Sequence, residues 1–296
     1  MEMVSAAKMR RAVASVQGIR PYAHSAWSVL TNLARAFVEY NQELLEVREV
    51  KSVLTIVIST NRGLCGAYNT QLLKKIKQEL ANPERLKINR TVTRRIESKI
   101  KDEELKIDFI TIGKKGDAMI RKLGKNIIAS FPDLAYHPKP EDVRPLSKII
   151  IEEYLKKNYD KVVVVYTDFI STITQQAKIR QILPVSKVDI EKQIAEMDSH
   201  AREIGLKEPK LEYKVEPSPT EVLKHIFPRL IEMQIYHAIQ ESNASKESAR
   251  MIAMRNATEA AGDMVTGLTL AFNQIRQSKI TQEIAEISAG AAAIEK

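Results

Sequence analysis

The residues best placed for chemistry form the loop Ser59-Thr-Asn-Arg-Gly-Leu-Cys-Gly-Ala67, which follows a β-branched run and precedes a helical pattern. Phosphate-binding loops occupy that position, because backbone N–H groups at a helix N-terminus attract anions. This loop lacks the lysine and hydroxyl pair with which a P-loop holds phosphate and magnesium, and it does not spell the dinucleotide fingerprint. Gly63 and Gly66 therefore read as a tight structural turn. Cys65 has no histidine near it in sequence to act as a base, so it reads as a small packed hydrophobe. The histidines His24, His137, His200, His225 and His237 show no metal-ligand spacing, and His225 and His237 stand too far apart along one helix to share an ion. Glu103–Glu104 and Glu152–Glu153 sit in solvated charge runs. No catalytic, cofactor-binding or metal-binding residue is expected. The basic cluster Lys8, Arg10, Arg11 and Arg20 reads either as a solvated helical face or as contact with an acidic protein surface. Nucleic-acid binding is the rival function for it, yet no aromatic interleaving or reading motif accompanies it.

The elements that must carry these residues separate into three regions. Aromatics make up 5% of the 296 residues, and alanine, leucine, isoleucine, lysine and glutamate dominate, which favours long helices. The formal charge of +9 points to acidic partners. A single cysteine excludes an internal disulfide framework. No run of membrane-spanning length and no signal peptide at Met1 is evident, so any link to a membrane is expected to run through a partner.

From Met1 to about Arg48, apolar residues step by three and four through Ala6, Met9, Val13 and Val16, then Ala23, Trp27, Leu30, Ala34 and Phe37. That is a narrow coiled-coil seam, which Pro21 should kink. From Val50 strands and helices alternate: Val53–Ile58 with Tyr68–Leu80, Ile107–Ile112 with Asp117–Leu123, and Val143–Lys157 with Val162–Tyr166. Such alternation predicts a parallel α/β sheet. The charged stretch Arg85 to Lys106 reads as an inserted helix or hairpin. After Pro184 a charged segment leads to Pro217-Ser-Pro-Thr220, where Ser218 suits an N-cap and Pro219 the first helical position. A second seam then runs through Met254, Ala257, Ala261, Met264, Leu268, Ala271 and Ile275. The fold expected is mixed α+β: a long antiparallel coiled coil of the N-terminal helix (1–49) and the C-terminal helix (216–296), with a Rossmann-like α/β domain (50–215) inserted between them.

Several segments resemble one family. Met3-Val-Ser-Ala-Ala-Lys-Met-Arg-Arg-Ala12 resembles the first helix of the gamma subunits of F-type ATP synthases. Thr60-Asn-Arg-Gly-Leu-Cys-Gly-Ala-Tyr-Asn69 is similar to the turn after that family's first strand, with Asn61 in place of the usual aspartate and Ala67 in place of a glycine. Glu232-Met-Gln-Ile-Tyr236 and Ala249-Arg-Met-Ile-Ala-Met-Arg-Asn-Ala-Thr258 resemble the start of its last helix. Ile280-Thr-Gln-Glu-Ile-Ala-Glu-Ile-Ser-Ala-Gly-Ala-Ala-Ala293 looks like the family signature at the rotor tip.

The resemblance implies a non-catalytic rotor with no cofactor, peripheral on the cytoplasmic face of a bacterial plasma membrane. It implies partners as well: a hexamer of alpha and beta subunits around the coil, with an epsilon subunit and the c-ring at its foot. By position, Arg276, Gln277 and Thr281 match family contacts to the surrounding subunits, and Met1 and Glu2 match a site facing the beta lever. Tyr213 and Glu216 match the c-ring and epsilon contact, although Val215 departs from the aromatic often found there. The family's first helix starts several turns before the match to Met1, and those turns would pair with Thr281 to Ala293. The alternatives are a nucleic-acid-associated coiled-coil protein and a nucleotide-binding α/β enzyme.

Overall fold

Six consecutive buried residues, Val53 to Ile58, form the centre of strand β1 (Ser52–Ile58). A strand buried on both faces suits the middle of a parallel sheet. The computed structural model describes residues 2–18, 43–46, 48–90, 95–97, 104–135, 138–185 and 219–294. After helix α1 (residues 2–18) and β1 come α2 (Tyr68–Ala81), α3 (Glu84–Lys87), β2 (Ile88–Arg90) and β3 (Arg95–Glu97). Then follow β4 (Lys106–Ile112), α4 (Lys114–Lys122), β5 (Ile127–Ser130), α5 (Pro140–Leu155), β6 (Lys161–Phe169), β7 (Gln175–Leu183) and α6 (Pro219–Ile294).

The main sheet has the order β5-β4-β1-β6-β7. β1 pairs parallel with β4, Val53 opposite Ile107, and parallel with β6, Leu54 opposite Val162. β7 returns antiparallel on β6, with Val165 opposite Ile179. The sheet is therefore parallel except at one edge, in keeping with the parallel α/β sheet expected, with β7 an antiparallel addition that the alternation did not indicate. The charged insertion does hold an antiparallel pair, β2 with β3.

Alternation along the strands divides the core in two. Leu54, Ile56, Ile58, Ile110 and Ile112 face α5 and α6, where they meet Leu146, Ile150, Phe227, Ile231, Ile235 and Ile239. Val57, Phe109 and Val165 face the other way, onto Leu72 and Ile76 of α2 and Ile120 of α4. Each fully buried isoleucine or leucine contributes about 1.5–3 kcal/mol. α5 starts at Pro140, earlier than the apolar pattern, because proline suits the first helical turn and Asp142 accepts a hydrogen bond from the Lys139 N–H at 2.7 Å.

The first helix was expected to reach Arg48. Glu43–Leu45 is instead a single 3-10 turn, and Glu46 and residues 48–50 are non-helical. Tyr154 from α5 donates to the Glu46 carbonyl there at 3.0 Å, and Arg48 stacks 4.6 Å over the Tyr154 ring. The kink expected at Pro21 and the N-cap expected at Ser218 lie outside the described residues.

Candidate functional site

The loop after β1 is closed by its own hydrogen bonds. Ser59 Oγ donates to the Ile112 carbonyl at 2.9 Å and accepts from the Gly116 N–H at 2.7 Å. Asn61 donates to the Pro132 carbonyl and accepts from the Lys114 N–H, at 2.7 and 2.8 Å. The loop thus ties β1 to the start of α4 through the side chains of Ser59 and Asn61. Gly113 has φ +95°, and a Cβ there would stand 2.7 Å from the Ser59 carbonyl, so only glycine fits. Cys65 is buried and accepts from Asn69 Nδ2 at 3.2 Å.

In a doubly wound sheet, ligands bind outside the carboxyl ends of the strands, where the strand order reverses. Here that reversal lies between β1 and β6, and helix α6 crosses it. Tyr68 at the start of α2 donates to the Ser242 carbonyl at 3.5 Å. At the end of β6, the Thr167 N–H donates to Ser242 Oγ at 3.3 Å, and Ser245 Oγ donates to the Thr167 carbonyl at 3.2 Å. The crevice is filled by the chain's own helix. Among the described residues, no three His, Cys, Asp or Glu side chains converge to hold a metal ion.

α6 has 76 residues, about 114 Å at 1.5 Å per residue. Its surroundings change along its length. Residues from Phe227 to Ile239 present apolar side chains to the sheet and to α5. Gln240 to Ser248 are buried throughout although only Ala244 is apolar. Helix α1 lies against this stretch: Ala12 and Val16 pack with Ala244, and Ser15 Oγ donates to Gln240 Oε1 at 3.4 Å. Lys8 interacts electrostatically with Lys246, and Glu2 with Arg255. As numbers rise on α6 they fall on α1, so the two helices are antiparallel over this stretch.

Beyond Arg255 nearly every side chain up to Ala291 is exposed. Met264 (67% exposed), Leu268 (64%), Phe272 (65%), Ile275 (60%) and Ile287 (74%) would not stand in water unless something covers them. The seam seen in the sequence is thus apolar and uncovered among the described residues. Exposed threonines Thr258, Thr266, Thr269 and Thr281 bond back to carbonyls four residues earlier.

Arg276, Gln277 and Thr281 lie on this exposed stretch, with Thr281 Oγ1 donating to the Gln277 carbonyl at 2.9 Å. They share a helix, and among the described residues they make no contact outside it that would single them out. Glu2 is half-buried at the far end of α1. Met1, Tyr213 and Glu216 lie outside the described residues. The buried polar band was missed by sequence reasoning. Its signal is the spacing of Ser242, Ser245 and Ser248, three small hydroxyls on one helical face.

No helix among the described residues is long and apolar enough to cross a membrane. In overall fold the chain is similar to the central stalk of the Tetrahymena thermophila mitochondrial ATP synthase, with a TM-score of 0.60 and 21% identity over 87% of this chain and 97% of that one. It is also similar to a chain of the Euglena gracilis mitochondrial ATP synthase, with a TM-score of 0.55 and 17% identity over 98% and 95%. At that identity the likeness concerns fold. In sequence, the ATP synthase gamma chains of Legionella pneumophila strains Corby and Paris are each 35% identical over 294 residues, which is 99% of this chain and 92% of theirs. The family model described as ATP synthase matches residues 1–294, and on these grounds the chain belongs to the ATP synthase gamma-chain family.

Proposed function

We propose that this chain is the rotating shaft of an F-type ATP synthase, coupling c-ring rotation to ATP synthesis in an alpha/beta hexamer. The observation that carries the reading is the exposed half of α6. It is a helix of about 55 Å with apolar residues on its surface, and a socket formed by other subunits would cover it. The α/β domain, about 50–215, would form the foot on the c-ring and bind the epsilon subunit, while 1–49 and 216–296 form the shaft. The chain itself would be non-catalytic, since the Ser59 and Asn61 side chains of the loop after β1 are hydrogen-bonded to the Ile112 and Pro132 carbonyls and α6 crosses the sheet's crevice. Its place would be peripheral, on the cytoplasmic face of a bacterial plasma membrane. Arg276, Gln277, Thr281, Met1 and Glu2 are the proposed contacts to the alpha and beta subunits, and Tyr213 and Glu216 those to the c-ring and epsilon.

Co-purification with alpha, beta and epsilon subunits tests the assignment directly. Arg276 tests the contacts. An exposed arginine is worth about 0–1 kcal/mol, whereas one seated against an acidic partner loses about 2–5 kcal/mol on truncation. Arg276→Ala should leave the subunit folded and slow ATP turnover of the assembled complex by more than about tenfold, roughly 1.4 kcal/mol. Lys279→Ala, also exposed, is the control. Equal behaviour of the two variants would remove Arg276 from the contact set.

A further inference from the structure

A helix buried on every side is ordinarily apolar all round. α6 departs from that most strongly from Gln240 to Ser248, where every residue is buried and only Ala244 is apolar; from Phe227 to Ile239 its buried residues are mainly apolar, with Glu232, Gln234 and His237 among them. The polar groups of this band are aimed at four other elements. Ser242 and Ser245, one turn apart, clamp the N–H and the carbonyl of the same residue, Thr167 at the end of β6. α2 adds the Tyr68 hydroxyl on the Ser242 carbonyl. Gln240 donates to the Pro138 carbonyl ahead of α5 at 3.2 Å and accepts from Ser15 of α1.

Apolar contact holds a helix against a sheet but resists rotation about the helix axis weakly, because it is non-directional. Hydrogen bonds are directional and short-ranged. A hydroxyl about 5 Å from the axis of a helix about 10–12 Å across moves about 1 Å for a turn of ~11°. That takes a 3.3 Å bond beyond hydrogen-bonding range. We infer that the clamp of Ser242 and Ser245 on Thr167, with Gln240 beside it, is the joint through which the α/β domain turns the shaft. The inference rests on the rotor reading above. These are positioning residues; they touch no nucleotide.

Ser248 separates a torque-bearing role from mere satisfaction of buried polar groups. It lies on the same face, is fully buried, and its hydroxyl makes no hydrogen bond among the described residues. The experiment fixes the assembled alpha/beta hexamer to glass and attaches a bead to the α/β domain through Lys122→Cys in a Cys65→Ala background. The angular variance of the bead in the paused state is then measured. For Ser242→Ala/Ser245→Ala the variance should rise at least about twofold, with unloaded ATP hydrolysis at the parent rate, and Ser248→Ala should match the parent. The single variant Ser245→Ala should give an intermediate rise, which keeps the test open if the double variant fails to fold. Equal variance in the parent and Ser245→Ala, or an equal rise in Ser248→Ala, overturns the joint. A parent chain that does not assemble with the hexamer or rotate within it overturns the rotor reading instead.

Discussion

Replacing Lys246 by methionine should stabilise this protein at neutral pH. Lys246 is buried between α6, α1 and the loop carrying Cys65, and its ammonium donates to Asn243 Oδ1 at 2.6 Å. Burial pushes it down from its ordinary 10.5 to about 8, with Glu247 opposing the fall and Arg250 and Lys8 adding to it. At about 1.4 kcal/mol per factor of ten in proton affinity, holding the charge at pH 7 costs the folded state about 3 kcal/mol. Methionine keeps the apolar stem, but it takes this donor away from the buried Asn243 Oδ1, a loss of about 1–3 kcal/mol. The net gain is about 0–2 kcal/mol.

The sign of the pH dependence follows from linkage. The folded state holds this proton less tightly than the unfolded chain, so the cost is complete below pH 8 and is relieved as pH rises toward 10.5. Between pH 7 and 9.5 the parent should gain about 2 kcal/mol from this group, and Lys246→Met none. Tyr68, pushed up by burial to about 12, stays protonated in the folded state over that range. Urea unfolding of both proteins at pH 7, 8, 9 and 9.5 measures the difference. A Lys246→Met protein less stable than the parent at pH 7, or one showing the same rise with pH, refutes the argument.

Gly113→Ala should lose about 2 kcal/mol or more, because its φ of +95° is strained for alanine and the new Cβ meets the Ser59 carbonyl; thermal melting measures it, and an unchanged midpoint would mean the backbone there relaxes. Calorimetry with ATP or NAD at millimolar concentration should show no binding to the α/β domain, since α6 fills the crevice; saturable binding tighter than about 100 µM, roughly −5.5 kcal/mol, would contradict this. ATPase activity of the assembled complex should be equal in reducing and oxidising buffer, because Cys65 is buried and is the chain's single cysteine. A reversible several-fold redox response that survives Cys65→Ala but requires this subunit would reveal a mechanism missed here.

The strands most visible in the sequence were those buried on both faces. β1 and β6 carry unbroken β-branched or apolar runs, and β4 carries one from Phe109 to Ile112 after the buried Asp108, as suits a parallel strand between two helical layers. β5 and β7 passed unseen for the opposite reason. They lie at the sheet's edges, β5 is four residues long, and the segment Gln175–Leu183 carries lysine, arginine and glutamine on its half-exposed sides. The antiparallel return was equally hidden, since only the short connection between Phe169 and Gln175 dictates it. The seam from Met254 to Ile275 was plain from its period, yet periodicity cannot say what covers it. Arg276 is legible only through resemblance, for its helix is exposed on all sides there. The polar band at Gln240–Ser248 reads as solvated surface because composition reports polarity and not enclosure. Its burial follows from tertiary packing by four elements distant in sequence.

The pairing of α1 with α6 also fixes an order of events during synthesis. Ser15 and Gln240 meet across a separation of 225 residues. At about 5–20 residues per second, α1 leaves the ribosome on the order of ten to fifty seconds before the helix that covers it. The same delay applies to the sheet, whose face over Leu54 and Ile56 is closed partly by Ile231 and Ile235. Through that interval the nascent chain displays an open apolar seam and half a core. It is then at its most exposed to aggregation and in greatest need of chaperone cover, until the last helix closes both at once.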